Sequence, residues 1–219
     1  MKPIVIITAP AHPYLTKRLQ DKGFEVVLSE TITYDALADN IGGATGLVVS
    51  TRIKIDQAIL EKAVSLKWIA RLGSGMELID THFAASKNII CVSSPEGNAG
   101  AVGEHTMALL LNLMNKVSAS FAEVKNGLWI RDANRADALF GKTVGIIGMG
   151  HTGNAFASRL QSFGVQILAH DKYKQETNLT NVKFVDLATL CANADVVSLH
   201  LPLTSETHHY ASTSFFASL

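Results

Sequence analysis

The sequence predicts an α/β protein with two doubly wound parallel-sheet domains. Two observations support this fold class. Short apolar runs alternate with amphipathic stretches along the whole chain, and 47% of its 219 residues are hydrophobic while only 17% are charged. Buried parallel strands are typically short apolar runs, and the helices that cover both faces of such a sheet are amphipathic. A chain this apolar must bury a sizeable core.

The first domain is expected to cover residues 1–98. Five apolar runs predict strands at residues 4–8, 25–28, 46–50, 68–71 and 89–92. Segments with polar or proline starts and apolar residues at helical spacing lie between them, which predicts a helix after each of the first four strands. These helices begin near Pro13, Asp35, Asp56 and Asp80.

The second domain is expected to cover residues 99–219 and to begin with one long helix. This helix begins at Ala99, ends near Lys125 and is apolar on nearly all sides, so we expect it to be buried between two lobes. A polar stretch then leads to a second series of strands and a helix over residues 154–163. The strands are predicted at residues 143–147, 165–169, 182–184 and 195–199.

Charge and cysteine content exclude several classes of function. The chain has 19 Lys and Arg against 19 Asp and Glu. Nucleic acids and anionic membranes attract clustered positive charge, so we predict neither as a partner. The apolar runs are too short for a membrane span, and the N-terminus does not resemble a secretory signal. Cys91 and Cys191 lie far apart in apolar surroundings, which predicts reduced packing residues, a cytoplasmic location and no metal site.

A glycine-rich turn follows the first strand of the second domain. Gly148, Gly150 and Gly153 form a G-x-G-x-x-G pattern between an apolar strand and a helix. In this context Gly148 permits a tight turn, Gly150 lets the backbone approach a pyrophosphate, and Gly153 lets the helix pack on the strand. The N–H groups and the positive dipole end of the helix favour phosphate groups. The pattern therefore predicts a dinucleotide site.

Asp171 ends the next strand, 18 positions after the last glycine. An acidic side chain at this place accepts a hydrogen bond from the adenosine 2′-hydroxyl and repels a 2′-phosphate, which favours NAD over NADP. Lys172 and Lys174 lie beside it and weaken that preference. The alternative interpretation is that Asp171 only caps a helix or ends the strand.

A second glycine loop follows Arg71 in the first domain. Gly73, Ser74 and Gly75 separate a strand from a helix, and the paired glycines expose backbone N–H groups of the kind that hold a carboxylate. On local sequence alone, an ordinary turn with a helix cap at Asp80 explains the loop equally well.

Four segments together resemble the D-isomer-specific 2-hydroxyacid dehydrogenases of the D-3-phosphoglycerate dehydrogenase type. They are residues 71–80 (RLGSGMELID), 98–105 (NAGAVGEH), 144–153 (VGIIGMGHTG) and 199–207 (LHLPLTSET), and the resemblance covers the whole chain. It implies a flavodoxin-like substrate domain, a Rossmann NAD-binding domain, and NAD-dependent interconversion of a D-2-hydroxy acid and its 2-keto acid.

The resemblance also assigns roles to individual residues. Ser74 and Gly75 would bind the substrate carboxylate through backbone amides, with Ser74 also near the nicotinamide, and Arg71 is a candidate for binding or steering the anionic substrate. Further cofactor contacts are implied for the nicotinamide pocket (Val102), the pyrophosphate (His151, Thr152), the ribose (Asp171) and the adenine side (His200, Leu201, Pro202, Thr207). The helix from Ala99 to Lys125 would contribute to a homodimer interface.

The chain departs from the family pattern in two places. Glu77 and Leu78 stand where the family usually has Asp and Asn, which affects local packing more than carboxylate binding. The family's catalytic Arg, Glu and His belong to segments that would follow Leu219, so we predict no catalytic residue among these 219 residues. We therefore expect a truncated member of a longer enzyme, with an incomplete NAD domain whose last strand is an exposed apolar edge.

Other functions stay open at this point. The same family includes transcriptional corepressors that sense the dinucleotide, so a non-catalytic NAD-binding or interaction protein is the alternative. Phosphoglycerate would need further cations, for which Arg52, Lys54 and Arg71 are candidates, and glycerate, lactate and glyoxylate are alternative substrates. The histidines at positions 105, 200, 208 and 209 are expected to be packing, capping or surface residues rather than an acid/base.

Overall fold

The computed structural model describes residues 2–219, which form two compact α/β units, residues 2–97 and residues 98–219. Each unit is built on one parallel sheet, which confirms the predicted fold class. Among residues 2–219, no helix combines the length and the apolar character that a membrane span requires.

The first unit contains a five-stranded sheet in the order β2-β1-β3-β4-β5, which is the flavodoxin-like arrangement. The predicted strands agree with the observed ones to within two residues at each end. The strands are β1 (Ile4–Ile7), β2 (Glu25–Leu28), β3 (Ala44–Val49), β4 (Trp68–Arg71) and β5 (Ile90–Ser93).

Four helices alternate with these strands, as predicted. They are α1 (Pro13–Asp21), α2 (Tyr34–Asn40), α3 (Gln57–Lys62) and α4 (Thr81–Ser86). Thr33, Asp56 and Asp80 cap the last three by accepting a hydrogen bond from a first-turn amide. In β1, Ile6 packs into one apolar cluster while Val5 and Ile7 pack into another, so both faces of the sheet are covered.

Two helices stand where the sequence predicted one, and the first of them begins two residues before the second unit. They are α5 (Glu96–Met114) and α6 (Val117–Lys125). The chain turns between them because Lys116 has a left-handed backbone with φ of 52°, and Asn112 Oδ1 accepts hydrogen bonds from the amide and the hydroxyl of Ser118. The prediction of a single helix from Ala99 to Lys125 is therefore wrong.

The expectation that this helix is buried is wrong for part of its surface. One stripe of α5, formed by Ala99, Gly103, Met107 and Leu110, is buried, whereas Leu109 and Leu113 are 55% and 73% exposed. The stripe lies where Gly103 meets Ala155, since a Cβ at Gly103 would stand only 2.9 Å from the Ala155 carbonyl carbon. The small side chain lets α5 approach the neighbouring helix closely.

The sheet of the second unit has four parallel strands in the order β8-β7-β6-β9, the order of the first strands of a Rossmann domain. The strands are β6 (Thr143–Ile147), β7 (Gln166–His170), β8 (Val182–Phe184) and β9 (Val196–Leu199), and the remaining helices are α7 (His151–Leu160), α8 (Leu187–Asn193) and α9 (Thr213–Phe216). Because β7, β6 and β9 are neighbours, Asp171, Gly148 and His200 follow their carboxyl ends at one edge of the sheet.

Candidate functional site

The glycine turn begins directly after β6. The Gly148 amide donates a hydrogen bond to the His170 carbonyl at 2.8 Å, and its φ of 96° is a conformation that favours glycine. A Cβ at Gly148 would stand 2.4 Å from the His200 carbonyl oxygen. The turn therefore fits between the ends of β7 and β9 only because position 148 has no side chain.

The other two glycines shape the N-terminus of α7. Gly150 is the N-cap residue, and the helix begins at His151, three residues earlier than predicted. A Cβ at Gly153 would stand 2.0 Å from the Gly148 carbonyl oxygen, whereas a Cβ at Gly150 would meet nothing within 4 Å. The helix is thus packed tightly on the turn, and open space lies at its N-terminus, where the backbone N–H groups of the first turn and the helix dipole favour a phosphate. This arrangement fits a dinucleotide pyrophosphate.

Asp171 holds the turn through its carboxylate. Oδ2 accepts from the Met149 amide at 2.7 Å, and Oδ1 accepts from the amides of Tyr173 and Lys174 at 2.8 and 3.0 Å. Burial raises the pKa of this carboxyl, but the three hydrogen bonds outweigh burial, so the pKa lies below its ordinary value. An ionised carboxylate accepts about four hydrogen bonds, so one position on Oδ2 is left for a ribose hydroxyl.

A cavity of about 240 Å³ lies beside the turn, at the carboxyl ends of β6, β7 and β9. Apolar groups, including Ile147 and Leu201, share its lining with polar and charged side chains. Seven residues that the sequence predicted for the cofactor come together there: Gly148, Gly150, Asp171, His200, Leu201, Pro202 and Thr207.

His200 forms one wall of this cavity. Its ring stacks on Phe156 with centroids 5.5 Å apart, and its Nε2 lies 3.0 Å from Ser198 Oγ. Burial lowers the pKa of His200, which favours the neutral imidazole. The residue is a packing group of the site, in line with its expected role.

A wider groove of about 810 Å³ adjoins the cavity and shares Gly150, Asp171 and Tyr173 with it. His151 lines this groove, together with Lys174 and Glu176. Three other predicted cofactor residues are placed differently: Thr152 is half-buried and Gly153 is buried in the first turn of α7, and Val102 is half-buried on α5.

Two charged side chains pack against the glycine loop of the first unit. Gly73 has φ of 137°, and a Cβ there would stand 1.8 Å from Arg71 Nη1; a Cβ at Gly75 would stand 2.0 Å from Glu77 Oε2. The Arg71 side chain is only 10% exposed, and its Nη2 lies 3.9 Å from Glu77 Oε1. Arg71 therefore contacts the loop itself.

The same loop presents two amides. The Gly73 amide donates to Ser94 Oγ at 3.2 Å, and the Gly73 carbonyl accepts from the Ser94 amide at 2.9 Å. Within residues 2–219, the amides of Ser74 and Gly75 donate to no acceptor. The geometry suits a carboxylate that would accept from both amides.

Other residues of the sites were not singled out from the sequence. Glu206 and Tyr210 line the cavity, and Tyr173 lines both the cavity and the groove. Glu206 lies in the segment 199–207 that resembles the family, and Tyr173 lies two positions after Asp171. The sequence therefore offered a reason to consider both residues. The sequence offered no such reason for Tyr210, because its position in the cavity depends on packing against Phe215, with ring centroids 5.5 Å apart.

Arg52 does not have the phosphate-binding role that was suggested from the sequence. Its guanidinium donates to the Ile32 carbonyl at 2.8 Å and to the Thr8 carbonyl at 3.0 Å. These bonds tie together two loops of the first unit, which makes Arg52 a structural residue rather than an open anion ligand.

Comparison with known proteins identifies the family. Residues 107–219 match the family model described as D-isomer specific 2-hydroxyacid dehydrogenase, NAD binding domain. The chain belongs to the D-isomer specific 2-hydroxyacid dehydrogenases. This membership confirms the resemblance seen in the sequence. It also identifies NAD as the cofactor, in agreement with the glycine turn and Asp171.

Two relatives in this dehydrogenase family show how much of each protein is matched. The chain is 36% identical over 208 residues to D-3-phosphoglycerate dehydrogenase of Methanocaldococcus jannaschii, covering 94% of this chain and 40% of that protein. It is 37% identical over 205 residues to hydroxypyruvate reductase of Thermotoga maritima, covering 94% and 67%. The chain thus spans about two fifths of the phosphoglycerate dehydrogenase.

A solved dehydrogenase structure has the same fold. D-lactate dehydrogenase from Aquifex aeolicus, complexed with NAD and lactic acid, superimposes with a TM-score of 0.83 at 25% identity. The superposition covers 99% of this chain and 66% of that structure.

Proposed function

We propose that this chain provides the NAD-binding and carboxylate-binding parts of an oxidoreductase that interconverts D-2-hydroxy acids and 2-keto acids. The observation that carries the proposal is the edge of the second sheet, where open space at Gly150, the carboxylate of Asp171 and the adjoining cavity lie together. NAD, when bound, supplies the hydride acceptor of this chemistry and NADH the donor.

Each part of the NAD site has a physical role in this proposal. The N-terminus of α7 at Gly150 binds the pyrophosphate through backbone N–H groups, with His151 and Thr152 in its first turn. Asp171 accepts from a ribose hydroxyl at the position left on Oδ2. The cavity walls at His200 and Leu201 enclose the adenine. Val102 is assigned to the nicotinamide pocket on the strength of the family pattern.

The first unit, which covers residues 2–97 of the described chain, is assigned to the substrate. Ser74 and Gly75 present the two amides that would bind the carboxylate shared by every 2-hydroxy and 2-keto acid. Arg71 and Glu77 lie beneath the neighbouring glycines and support the loop. The relatives named above act on phosphoglycerate or hydroxypyruvate by their names, and for this chain we propose the wider class of small 2-hydroxy acids.

No catalytic acid or base is assigned to the described residues. His200 lines the cavity beside the cofactor turn, and its half-buried ring is stacked on Phe156. A general acid/base needs access to the substrate oxygen, which this packing does not provide.

We also propose that the chain forms a homodimer through α5 and α6. Apolar side chains are exposed along both helices and just after them, a pattern that marks an interaction surface. The surface is formed by Leu109, Leu113, Val117, Phe121, Val124, Leu128 and Trp129. A cytoplasmic location is consistent with the two free thiols, Cys91 and Cys191.

The adenosine-site assignment is tested by titrating the protein with NADH and following nicotinamide fluorescence. Asp171→Ala should weaken NADH binding about tenfold or more, because it removes an ionised acceptor from the ribose. Asp137→Ala, an exposed carboxylate elsewhere in the second unit, is the control. An unchanged affinity in Asp171→Ala would reject the assignment.

The substrate assignment is tested with NADH and a panel of glyoxylate, pyruvate and hydroxypyruvate, using a longer form of the protein that carries the family's catalytic Arg, Glu and His. Oxidation of NADH by a member of the panel identifies the substrate. Intact NADH binding without any NADH oxidation in that longer form would instead support the alternative, a non-catalytic NAD-binding or interaction protein.

A further inference from the structure

An ion pair lies at the rim of the cavity beside Asp171. Lys172 Nζ and Glu206 Oε2 are 2.6 Å apart, and both side chains are 62% exposed and line the cavity. The pair joins the segment after β7 to the turn after β9, 34 positions apart in the sequence. The hydrogen bond to Glu206, and then its negative charge, raise the pKa of Lys172.

Glu206 sits in a turn that is held in place. The Thr204 amide donates to Thr207 Oγ1 at 2.9 Å, and the Thr207 amide donates to Thr204 Oγ1 at 3.2 Å. These two bonds brace the turn on both sides of position 206. The carboxylate is therefore presented to Lys172 by an ordered backbone rather than by a free loop.

The charges around the proposed ribose position determine whether the site accepts a ribose 2′-hydroxyl or a 2′-phosphate. The cavity and groove are lined by three carboxylates, Asp171, Glu176 and Glu206, against two ammonium groups, Lys172 and Lys174. A ribose 2′-phosphate brings about two further negative charges and needs a cation that is not already paired. Lys172 follows Asp171 directly and is the cation that Glu206 neutralises.

We propose that Glu206 is a cofactor-specificity residue: by pairing with Lys172 it withholds this ammonium from a ribose 2′-phosphate and keeps the site selective for NAD over NADP. The inference rests on the adenosine site proposed at Asp171. The two neighbours of Asp171 that weaken NAD preference in the sequence are thus not equivalent, because only Lys172 has this carboxylate partner.

The test compares dissociation constants for NADH and NADPH in the wild type, Glu206→Gln and the double variant Lys172→Gln/Glu206→Gln. Exposed ion pairs are weak, so Glu206→Gln should raise the affinity for NADPH relative to that for NADH by about two- to fivefold. The gain should shrink at high salt, since it is electrostatic. Glu30→Gln, an exposed carboxylate of the first unit, should change neither constant.

The double variant separates the proposed mechanism from a general loss of negative charge. If Glu206 acts through Lys172, the gain in NADPH affinity disappears when Lys172 is also replaced. A Glu206→Gln variant with unchanged NADPH affinity, or a gain that persists in the double variant, would overturn the proposal. Failure of the adenosine site itself is distinguishable, because Asp171→Ala would then leave NADH binding unchanged.

Discussion

The Met149 amide donates a hydrogen bond of 2.7 Å to Asp171 Oδ2, which ties the glycine turn to the end of the neighbouring strand. The carboxylate proposed to bind the ribose is therefore also a structural element of the proposed pyrophosphate site. Ribose and pyrophosphate contacts are coupled through one side chain, and a change at either place is expected to affect the other.

Two glycines of the turn should respond differently to the same substitution. Gly153→Ala places a Cβ against the Gly148 carbonyl and should destabilise the protein by about 2–3 kcal/mol. Gly150→Ala meets open space, so its stability should change by less than about 1 kcal/mol, while NADH affinity falls about tenfold or more because the added methyl occupies the pyrophosphate position. Urea unfolding and NADH titration measure the two effects. Equal stability losses in both variants would contradict this structure of the turn.

His200 should make stability depend on pH. Its folded-state pKa is depressed by burial, so its contribution is complete above the unfolded-state pKa of about 6.5 and is lost as the pH falls toward the folded-state pKa. His200→Phe keeps the stacking on Phe156 but removes the titration, and should flatten this part of the stability profile. Thermal unfolding between neutral and mildly acidic pH measures it. His82→Phe, at an exposed position of α4, is the control for replacing a histidine ring by phenylalanine.

Arg71 should stabilise the glycine loop of the first unit. Arg71→Met removes the guanidinium beneath Gly73 and should speed hydrogen exchange in the loop about tenfold, a loss of roughly 1.4 kcal/mol of local stability. Exchange measured by mass spectrometry on a peptide that contains Gly73, whose amide donates to Ser94 Oγ, reports this directly. Arg18→Met, exposed on α1, should leave the loop unchanged. Unaltered exchange in Arg71→Met would show that the loop keeps its conformation without the guanidinium.

If the chain forms a homodimer, disrupting the proposed interface should lower its molecular mass in solution. Phe121 is 69% exposed on α6, so Phe121→Asp should leave the fold intact and weaken self-association about tenfold or more. Sedimentation velocity over a range of concentrations measures the shift toward monomer, with circular dichroism as the check on folding. Val64→Asp, 82% exposed in the first unit, should associate like the wild type. A monomeric wild-type protein would contradict the proposal.

The strands and glycine turns were predictable because their signals are local. A buried strand is a short apolar run wherever it lies in the sheet, which explains why the predicted Trp68–Arg71 and Thr143–Ile147 match the observed strands. The role of Gly148 was also predictable, since a positive φ between a strand and a helix selects glycine. Asp171 followed from its spacing to that turn.

The long helix shows where local reasoning fails. Composition gave no stop between Met114 and Val117, yet the chain breaks there because Asn112 bonds Ser118 and Lys116 takes a left-handed backbone. Apolar character alone also did not reveal which side of α5 is buried. That is decided by the close approach of Gly103 to Ala155, which are 52 positions apart.

The amino-acid order was sufficient to predict the α/β class, the dinucleotide turn and the acidic residue that favours NAD, because hydrophobic periodicity and backbone preferences act over a few neighbouring residues. It did not indicate which charged side chains come into contact. Only the strand order β7-β6-β9 places Lys172 next to Glu206, and only the folded loop places Arg71 beneath Gly73. Electrostatic interactions depend on distances through space, and those distances exist only once the sheet has formed.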